Sequence, residues 1–326
     1  MAKLIELQQI AFQAETTEGS APDALAAGDA KVLAFDVTYK ADLGFYRRNT
    51  RHSDFDRHAG VSGPRMATIG WKFELIGNTA AATAPSWALL INAAGVISTV
   101  VSNTVELTPA SRWNPLDLST ANDFKSLHIG AYCNGRYREI VGARPSKFVI
   151  SAKAGGPWIA DVEFIGAAAT DPSDTAMLTS VTFDTGTNTP PIFVSGVFSL
   201  GGLSASEALI DNFTFDLGLQ ASMRTDGNSA TGYRSAAVVN RKPTFAFATE
   251  MTLTSEHDFY SIWKAGTTAA LSITAGTSNN KLTLTAPAVQ YTDMTETERD
   301  GFLMAQMQCD LCRSSGNDSF KLTLGT

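Results

Sequence analysis

A stretch of eleven residues occurs twice in this chain. Residues 65–75 read RMATIGWKFEL and residues 241–251 read RKPTFAFATEM, an offset of 176 residues (241 minus 65). Arg, Thr and Glu recur at equivalent positions, and apolar residues alternate in both copies. Alternation with a period of two is typical of a half-buried strand, because successive side chains point to opposite faces. Each copy therefore predicts a strand.

The segments that follow the two copies also correspond. Residues 85–95 and 257–266 each predict one short helix, with Ser86 in the first and Ser255 or Asp258 in the second as N-cap, and a closing glycine. A hairpin comes next in each copy, and a last strand closes it. The predicted turns are at 134–135 and 279–280, and the last strands are at 161–165 and 306–310. The same four elements in the same order predict a duplicated domain.

The predicted fold class is mainly β, with two tandem and similar sandwich or barrel domains, each flanked by one short helix. The first domain covers residues 1–170 and includes an N-terminal arm and a long loop at 44–63. Residues 171–191 are the predicted linker and 192–326 the second domain. Residues 96–126 are an extra loop in the first copy. Further strands are expected at 4–14, 32–40, 192–200 and 210–219, and Trp71, Trp87 and Trp263 are expected in the core.

Composition argues against several classes of protein. The chain has 25 Lys and Arg against 32 Asp and Glu, whereas a protein that grips nucleic acid through its phosphates usually carries the opposite sign. Three cysteines and no signal peptide indicate synthesis in a reducing cytoplasm without a disulfide scaffold. No apolar run approaches the ~20 residues of a membrane span.

The sequence offers no convincing catalytic or metal site. Cys309 and Cys312 point to opposite faces of a predicted strand, so they do not form one zinc site. His52 and His58 lie in the long loop among aspartates, where contact with solvent or a partner is the simpler interpretation. The acidic run at 293–300 is interpreted as a solvated turn or as a negative rim on an assembly surface. We therefore predict no enzyme activity, no cofactor and no metal.

Two other classes of function stay open at this stage. A carbohydrate-binding or adhesin β-sandwich on a virion or cell surface would need an exposed aromatic platform, for which Tyr132, Tyr137 and Trp158 are the candidates. A hydrolase on a β scaffold would need a dispersed Ser/His/Asp triad or a carboxylate pair in one pocket.

Several stretches in order resemble the two-domain major tail tube proteins of long-tailed bacteriophages (siphophages). They include ETTEGSAP, GPRMATIGWKFELIGNTAAATAPSWALLINAAG, PPIFVSGVFSLGG, DGNSATGYRSAAVVNRKPTFAFATE, KAGTTAALSITAG and TAPAVQYTDMTETERDG. The chain departs from this pattern in the extra loop at 96–126 and in Pro243, which predicts disturbed strand pairing in the second copy.

The resemblance implies a structural protein of the virion. Three chains would form a ring of six similar domains, and rings would stack into a tail tube that carries DNA as passing cargo. The implied partners are other copies of the chain, a tape measure protein inside the tube, and terminator and distal tail proteins at its ends. No membrane is involved, and synthesis would take place in the host cytoplasm.

The residues themselves suggest where contacts between chains lie. The loop at 44–63 combines aromatic and Arg residues, which are enriched at interface hot spots, and it is predicted to join stacked rings. The two hairpins are predicted to face the lumen or the seam within a ring. The predicted ring–ring residues are Phe45, Tyr46, Arg47, Arg48, Phe55 and Arg57, and the predicted lumen or seam residues are His128, Tyr132, Asn134, Arg136, Asn279 and Lys281.

Overall fold

The computed structural model of the protein describes residues 7–51, 56–110, 125–184, 189–204 and 209–326. We refer to residues 7–184 as the N-terminal half and to 189–326 as the C-terminal half. Strands make up 55% of the structure and helices 6%, so the predicted mainly β fold is confirmed.

The elements of the N-terminal half are β1 Gln8–Ala14, β2 Ala34–Tyr46, β3 Val61–Glu74, α1 Ala88–Asn92, β4 Val96–Val101, β5 Thr104–Pro109, β6 Leu127–Cys133, β7 Arg136–Lys153, β8 Ile159–Ala167 and β9 Ser173–Asp174. Those of the C-terminal half are β10 Phe198–Leu200, β11 Leu203–Ser204, β12 Ile210–Asp216, β13 Leu219–Thr225, β14 Tyr233–Arg241, β15 Thr244–Glu250, α2 Phe259–Ala265, β16 Thr268–Ala275, β17 Leu282–Arg299, β18 Phe302–Cys312 and β19 Lys321–Leu324.

The two halves pair their strands in corresponding orders. In the N-terminal half the order is β1-β6-β7-β8-β3-β2, and in the C-terminal half it is β10-β16-β17-β18-β15-β12. Every pairing in both series is antiparallel. β7 and β17 each have 18 residues and each change partner along their length, so that one long strand joins two layers.

One long hairpin occurs in both halves but bends in only one of them. β2 and β3 run without a break, whereas the equivalent C-terminal hairpin is divided into β12 and β13 on one arm and β14 and β15 on the other. The break lies at Gly218 and Pro243. Gly218 has a φ of +57°, and a Cβ there would lie 1.9 Å from the Lys242 oxygen. Pro243 has no N–H to donate to a ladder.

The bend decides which hairpin projects from the protein. The β13–β14 hairpin folds back over the N-terminal half, where the Arg144 Nε donates to the Ala236 oxygen (3.0 Å). The β2–β3 hairpin is not divided in this way. Beyond Met66 and the Arg65 backbone bonds to Thr231 and Ala168, its two arms pair with each other up to Tyr46 and Val61 in the described part of the chain. One hairpin therefore stabilises the chain internally and the other extends outward.

A single antiparallel sheet crosses the boundary between the halves. β12 pairs with the end of β7, with Asn212 opposite Lys153 and Asp216 opposite Val149. This pairing gives the continuous order β2-β3-β8-β7-β12-β15-β18-β17. Among the described residues, the outer edge of β2 and the outer edge of β17 from Tyr291 onward have no partner strand.

One apolar core also extends across both halves. Trp71 stacks on Phe164 with ring centroids 5.2 Å apart, and Phe213 stacks on Phe245 at 5.9 Å. Trp87 is buried and its indole N–H donates to the Ile76 oxygen (3.0 Å). Burial of large aromatic side chains removes much apolar area from water, at about 25 cal/mol per Å². One cluster of buried apolar residues contains side chains of both halves, and Trp158 contacts Phe213 across the boundary, so the halves fold against each other.

The N-terminal arm is fixed by buried charges. The Glu15 carboxylate accepts hydrogen bonds from the backbone N–H groups of Gly142 (2.6 Å) and Gly19 (2.7 Å). Glu18 forms ion pairs with Arg224 (2.8 Å) and Arg144 (3.4 Å). Because an unpaired buried charge is very costly, these contacts hold the arm between β7 and β13.

Several predicted elements are confirmed in the structure. The predicted helices form α1 and α2, and the Asp258 carboxylate caps α2 by accepting from the Ser261 N–H (2.9 Å). Ser86 does not cap α1, which has no side-chain N-cap bond. The turn at 134–135 joins β6 to β7, and residues 276–281 join β16 to β17.

Other predictions need correction. The region 96–126, predicted as a loop, begins with the hairpin β4–β5, and β5 pairs with β19. The run 293–300, predicted as a turn, is the end of strand β17 followed by a tight turn at Asp300. The predicted strand at 192–200 is ordered as a strand only from Phe198, and the one at 210–219 divides at the Gly218 bend.

Candidate assembly surfaces

The boundary between the two halves is formed by a reciprocal backbone contact. The turn after β7 receives the segment that leads into β10: the Gly155 N–H donates to the Phe193 oxygen (3.0 Å), and the Phe193 N–H donates to the Gly156 oxygen (2.7 Å). Ile192 forms an isolated antiparallel bridge with Pro157. We call this set of contacts, together with the β7–β12 pairing, the internal junction.

Aromatic side chains seal the internal junction. Trp158 is fully buried (0% exposed) and packs edge-on against Phe213 of β12, with ring centroids 4.9 Å apart. Phe193 contacts the same Phe213 ring at 5.5 Å. The C-terminal half thus supplies both a strand and an apolar segment that cover the end of the N-terminal half.

Two further contacts extend the internal junction. The Asn78 N–H donates to the Asn279 oxygen (2.9 Å), and the Gly77 N–H donates to the Asn280 side-chain oxygen (2.8 Å). The Arg241 guanidinium donates to the oxygen of Gly95, the residue that ends the α1 turn (2.8 Å). The turn between β16 and β17 therefore packs on the N-terminal half.

The far end of the C-terminal half has the same backbone hydrogen bond as the end of the N-terminal half, but no described segment packs over it as Ile192 and Phe193 do at the internal junction. The Leu75 N–H donates to the Trp158 oxygen (2.8 Å), and the Met251 N–H donates to the Leu303 oxygen (2.9 Å), which makes Leu303 the counterpart of Trp158. Leu303 is nevertheless 51% exposed and Phe302 is 57% exposed. Where the first half is covered, the second half presents apolar side chains to solvent.

These exposed side chains line an apolar groove. Leu209 and Leu253 are exposed beside Phe302 and Leu303, and carboxylates border them. We call this surface the end groove; it is lined by Leu209, Glu250, Met251, Thr252, Leu253, Glu256, Phe302 and Leu303. Contiguous exposed apolar surface of this kind is typical of protein–protein contacts.

The predicted ring–ring residues lie mostly at the tip of the β2–β3 hairpin. Phe45 and Tyr46 are 64% and 70% exposed, and Arg47, Arg48 and Arg57 are exposed beside them. Phe55 lies outside the described residues. The loop is shorter than predicted, because residues 44–46 and 61–63 belong to β2 and β3.

Two of the predicted lumen residues are buried inside the chain. His128 is buried, and its imidazole contacts the Glu139 carboxylate (2.9 Å) and the Gln13 side chain (3.3 Å). Tyr132 is also buried and packs against Tyr137 at 4.7 Å. Their side chains belong to the packing around β6, so the placement of these two side chains on a lumen surface needs correction.

The other predicted seam residues divide between two places. Asn134 lies in the β6–β7 turn with a φ of +44°, and Arg136 forms a half-exposed ion pair with Asp174 (3.6 Å). Asn279 lies in the internal junction, and the Lys281 oxygen accepts a hydrogen bond from the Gly325 N–H (2.8 Å). The C-terminal hairpin turn therefore contacts the N-terminal half. The N-terminal hairpin turn contacts its own half, since the Asn134 N–H donates to the Leu7 oxygen (2.8 Å) and the Thr175 N–H donates to the Gly135 oxygen (2.9 Å).

The aromatic platform that an adhesin would need is not assembled. Trp158 and Tyr132 are buried, and Tyr137 is half-buried against Tyr132. Only the edge of this set reaches the surface.

The described residues also show little that suggests a reaction site. Within them there is no group of three or more His, Cys, Asp or Glu side chains placed to hold a metal ion. Cys309 is buried, and burial is the main cause that raises the pKa of its thiol. Cys312 is half-buried at the end of the same strand. The sequence-based interpretation of Cys309 as a core residue agrees with this placement.

Comparison with known families decides the class of the protein. Residues 6–310 match the family described as phage tail tube protein. The chain belongs to this family. It is therefore a structural component of a phage tail, and the family places it in the tail of the virion. No curated protein matches the chain at a significant level. In the described residues, no helix is long and apolar enough to cross a membrane.

Sequence reasoning missed the end groove and the internal junction. Leu253, Phe302 and Leu303 are ordinary apolar residues, and their exposure follows from tertiary structure. The sequence did contain one signal. Alignment of the two copies places the large Trp158 opposite the smaller Leu303, which indicates that the two positions differ in how they are packed.

Proposed function

We propose that three copies of this tail tube protein form a ring of six similar units, and that the rings stack into the tube. The two units of each chain correspond to residues 1–170 and 192–326, joined by 171–191. The observation that carries this proposal is the internal junction, because it leaves a matching donor surface at one end of the chain and a matching acceptor surface at the other. A head-to-tail contact of this type closes into a ring if the rotation allows it.

The internal junction specifies how the next chain would pair. β12 of the C-terminal half corresponds to β2, and the end of β7 corresponds to the end of β17. The internal pair Asp216–Val149 then becomes Lys40 opposite Thr295 of the next chain. Asp293 would lie diagonal to Lys40, within reach of a long side chain. Both edges are unpaired among the described residues and so are available for main-chain hydrogen bonds.

The turns extend the same seam. Asn279 and Asn280 pack on Gly77 and Asn78 in the internal junction. The corresponding contact between chains would place Asn134, and beside it Arg136, near the end groove of the neighbour. Asn134 and Arg136 would therefore be seam residues. Asn279 and Lys281 would occupy the equivalent position within the chain.

Stacking would use the two surfaces formed by the opposite ends of the strands in the continuous sheet. The β2–β3 tip extends beyond one end, and Phe45, Tyr46 and the neighbouring arginines are exposed there. The opposite end has the carboxylates of Glu256, Glu298 and Asp300. Aromatic and Arg residues facing a negative rim provide both apolar burial and opposite charge, which favours ring-to-ring contact.

The remaining partners follow from the same proposal. DNA passes through the lumen without specific binding, and an acidic lumen would reduce adhesion of phosphates. A tape measure protein would occupy the tube before DNA, and terminator and distal tail proteins would bind its ends. Synthesis in the host cytoplasm is part of this proposal.

Electron microscopy of the purified protein tests the assembly. We expect rings or tubes in negative stain, three-fold symmetry in cross-sections, and native masses in multiples of three chains of 34.7 kDa. Discrete particles that bind oligosaccharides and never form rings would instead support an adhesin module. Rings with another number of chains would overturn the three-chain arrangement.

A further inference from the structure

The end groove has no covering segment in the described chain, whereas the equivalent surface of the N-terminal half is covered. We propose that residues 4–5 of the next chain in the ring cover it. This inference rests on the proposed ring. It assigns the groove a single occupant: the segment just before β1 of a second copy.

The strand pairing identifies this segment. Phe12 of β1 pairs with Ile129, and Leu200 of β10 pairs with Leu271, and these two pairs occupy equivalent places in the two halves. The offset is 188 residues (200 minus 12). Carried upstream of the two strands, through the bend at 193–195, this offset aligns Ile192 and Phe193, which cover the N-terminal half, with Leu4 and Ile5.

The corresponding residues have matching chemistry. Both segments carry two consecutive large apolar side chains, Leu4-Ile5 in one and Ile192-Phe193 in the other. Residues 1–6 themselves lie outside the described part of the chain, and β1 begins shortly after them, at Gln8. A fully extended segment of this length reaches roughly 20 Å, so it suffices to cross from β1 to an adjoining surface.

The receiving turn also matches. In the internal junction the turn at 155–156 exchanges two backbone hydrogen bonds with Phe193. Its counterpart is the turn at Asp300 and Gly301, and the positive φ of Gly155 (+81°) recurs at Gly301 (+87°) and Asp300 (+52°). The equivalent bonds would join this turn to the backbone of Ile5, and the Ile192–Pro157 bridge would become a contact of Leu4 with Phe302.

The proposed cover would contribute to assembly mainly through apolar burial. Phe302 and Leu303 are more than half exposed, as are Leu209 and Leu253. Burial of such side chains removes apolar area from water and favours association. A seam that left all four in water would lose this contribution at every contact between neighbouring chains.

Disulfide trapping between separate chains tests the contact. One chain carries Leu4→Cys and a second carries Phe302→Cys, both with Cys133→Ser and Cys312→Ser, and the two are mixed, assembled and oxidised with copper phenanthroline. Residues paired across an antiparallel bridge lie within the Cα separation that a disulfide needs. We expect covalent dimers that contain one chain of each type, and only under conditions that allow assembly.

A matched control uses Val100→Cys in place of Phe302→Cys. Val100 is exposed to a similar degree (58%) but lies on the β4–β5 hairpin, away from the end groove. We expect few dimers from this pair. Equal dimer yields from Val100 and Phe302, or no dimers from Leu4 and Phe302 in normal tubes, would overturn the proposal.

A second variant separates this proposal from the proposed function. Leu4→Asp with Ile5→Asp should leave the unfolding transition of the chain unchanged and raise the concentration needed for ring formation at least about 10-fold, which corresponds to 1.4 kcal/mol. Unchanged assembly of this variant would refute the role of residues 4–5 while the rings remain. Wild-type protein that never forms rings would refute the proposed function itself.

Discussion

Two equivalent arginines provide a direct test of whether the internal junction is a template for the seam between chains. Arg241 donates to the Gly95 oxygen (2.8 Å) and lies over the Phe320 ring at 5.8 Å, both within the chain. Among the described residues, the side chain of its counterpart Arg65 makes a 3.8 Å ion pair with the exposed Asp171 and a long hydrogen bond of 3.5 Å to the Ala230 oxygen. In a ring, Arg65 would reach the oxygen of Gly266 in the neighbouring chain.

The two alanine substitutions should therefore have opposite effects. A hydrogen bond from a charged group is worth about 1.5–3 kcal/mol and a cation–π contact about 0.5–1 kcal/mol, so Arg241→Ala should lower the free energy of unfolding by about 2–4 kcal/mol. An exposed ion pair is worth at most about 1 kcal/mol, so Arg65→Ala should change it little. The same charged hydrogen bond, lost at each seam, should weaken ring assembly about 10- to 100-fold for Arg65→Ala.

Urea unfolding followed by tryptophan fluorescence measures the first effect, and light scattering against protein concentration measures the second. Arg65→Lys serves as the control that keeps the charge but loses the guanidinium geometry, and it should recover part of the assembly. If Arg65→Ala assembles at the wild-type concentration while Arg241→Ala unfolds more easily, the internal junction does not describe the contact between chains.

Three further outcomes are expected. Deletion of residues 49–60 should give soluble, folded protein that forms no tubes, and tubes of normal length from this variant would refute the ring–ring role of the hairpin tip. Lys40→Glu should weaken assembly by placing like charges at positions 40 and 293, which are diagonal neighbours in the proposed seam, and Lys40→Glu with Asp293→Lys should restore it in the same scattering assay. Acid should destabilise the chain: burial alone would raise the pKa of Glu139, but hydrogen bonds from His128, Thr170 and Tyr137 outweigh it and lower the pKa to about 2. The unfolded value is 4.5, so the stabilisation, on the order of 3 kcal/mol, is complete above that pH and is lost as the pH falls towards 2. In the Glu139→Gln variant, the urea midpoint of unfolding should change less with pH across this range than in the wild type.

The sequence predicted the elements of the fold because their signals are local. Alternation around Trp71 and Phe247 indicated strands, and the turn at Asn134 and Gly135 indicated a hairpin. The error at 293–300 arose because a run of carboxylates suggests a solvated turn, whereas these residues form an exposed edge of strand β17. Side-chain chemistry alone does not distinguish a solvated turn from the free edge of a sheet.

The candidate surfaces were harder to predict because the exposure of a side chain depends on which distant segments pack over it in the tertiary structure. His128 was expected on an exposed hairpin face and is instead buried, because β1 pairs along β6 and places Gln13 against it. Leu303 was not singled out at all. Leu303 is exposed because no described segment packs over that end, whereas Ile192 and Phe193 pack at the end that contains its buried counterpart Trp158.

The difference between the two halves also bears on how assembly is controlled. The internal junction forms within one chain, where its partners are held together by covalent connection, so it can be largely apolar. The free edge of β17 must not pair with any sheet it meets before the correct partner, and exposed edges are commonly protected by charged residues. Asp293, Glu296 and Glu298 lie on this edge strand. They would oppose association of two β17 edges by repulsion and still accept a β2 edge that contains Lys40. In the proposed ring, the acidic run would act as a specificity element of the seam, and the Lys40–Asp293 charge exchange tests this directly.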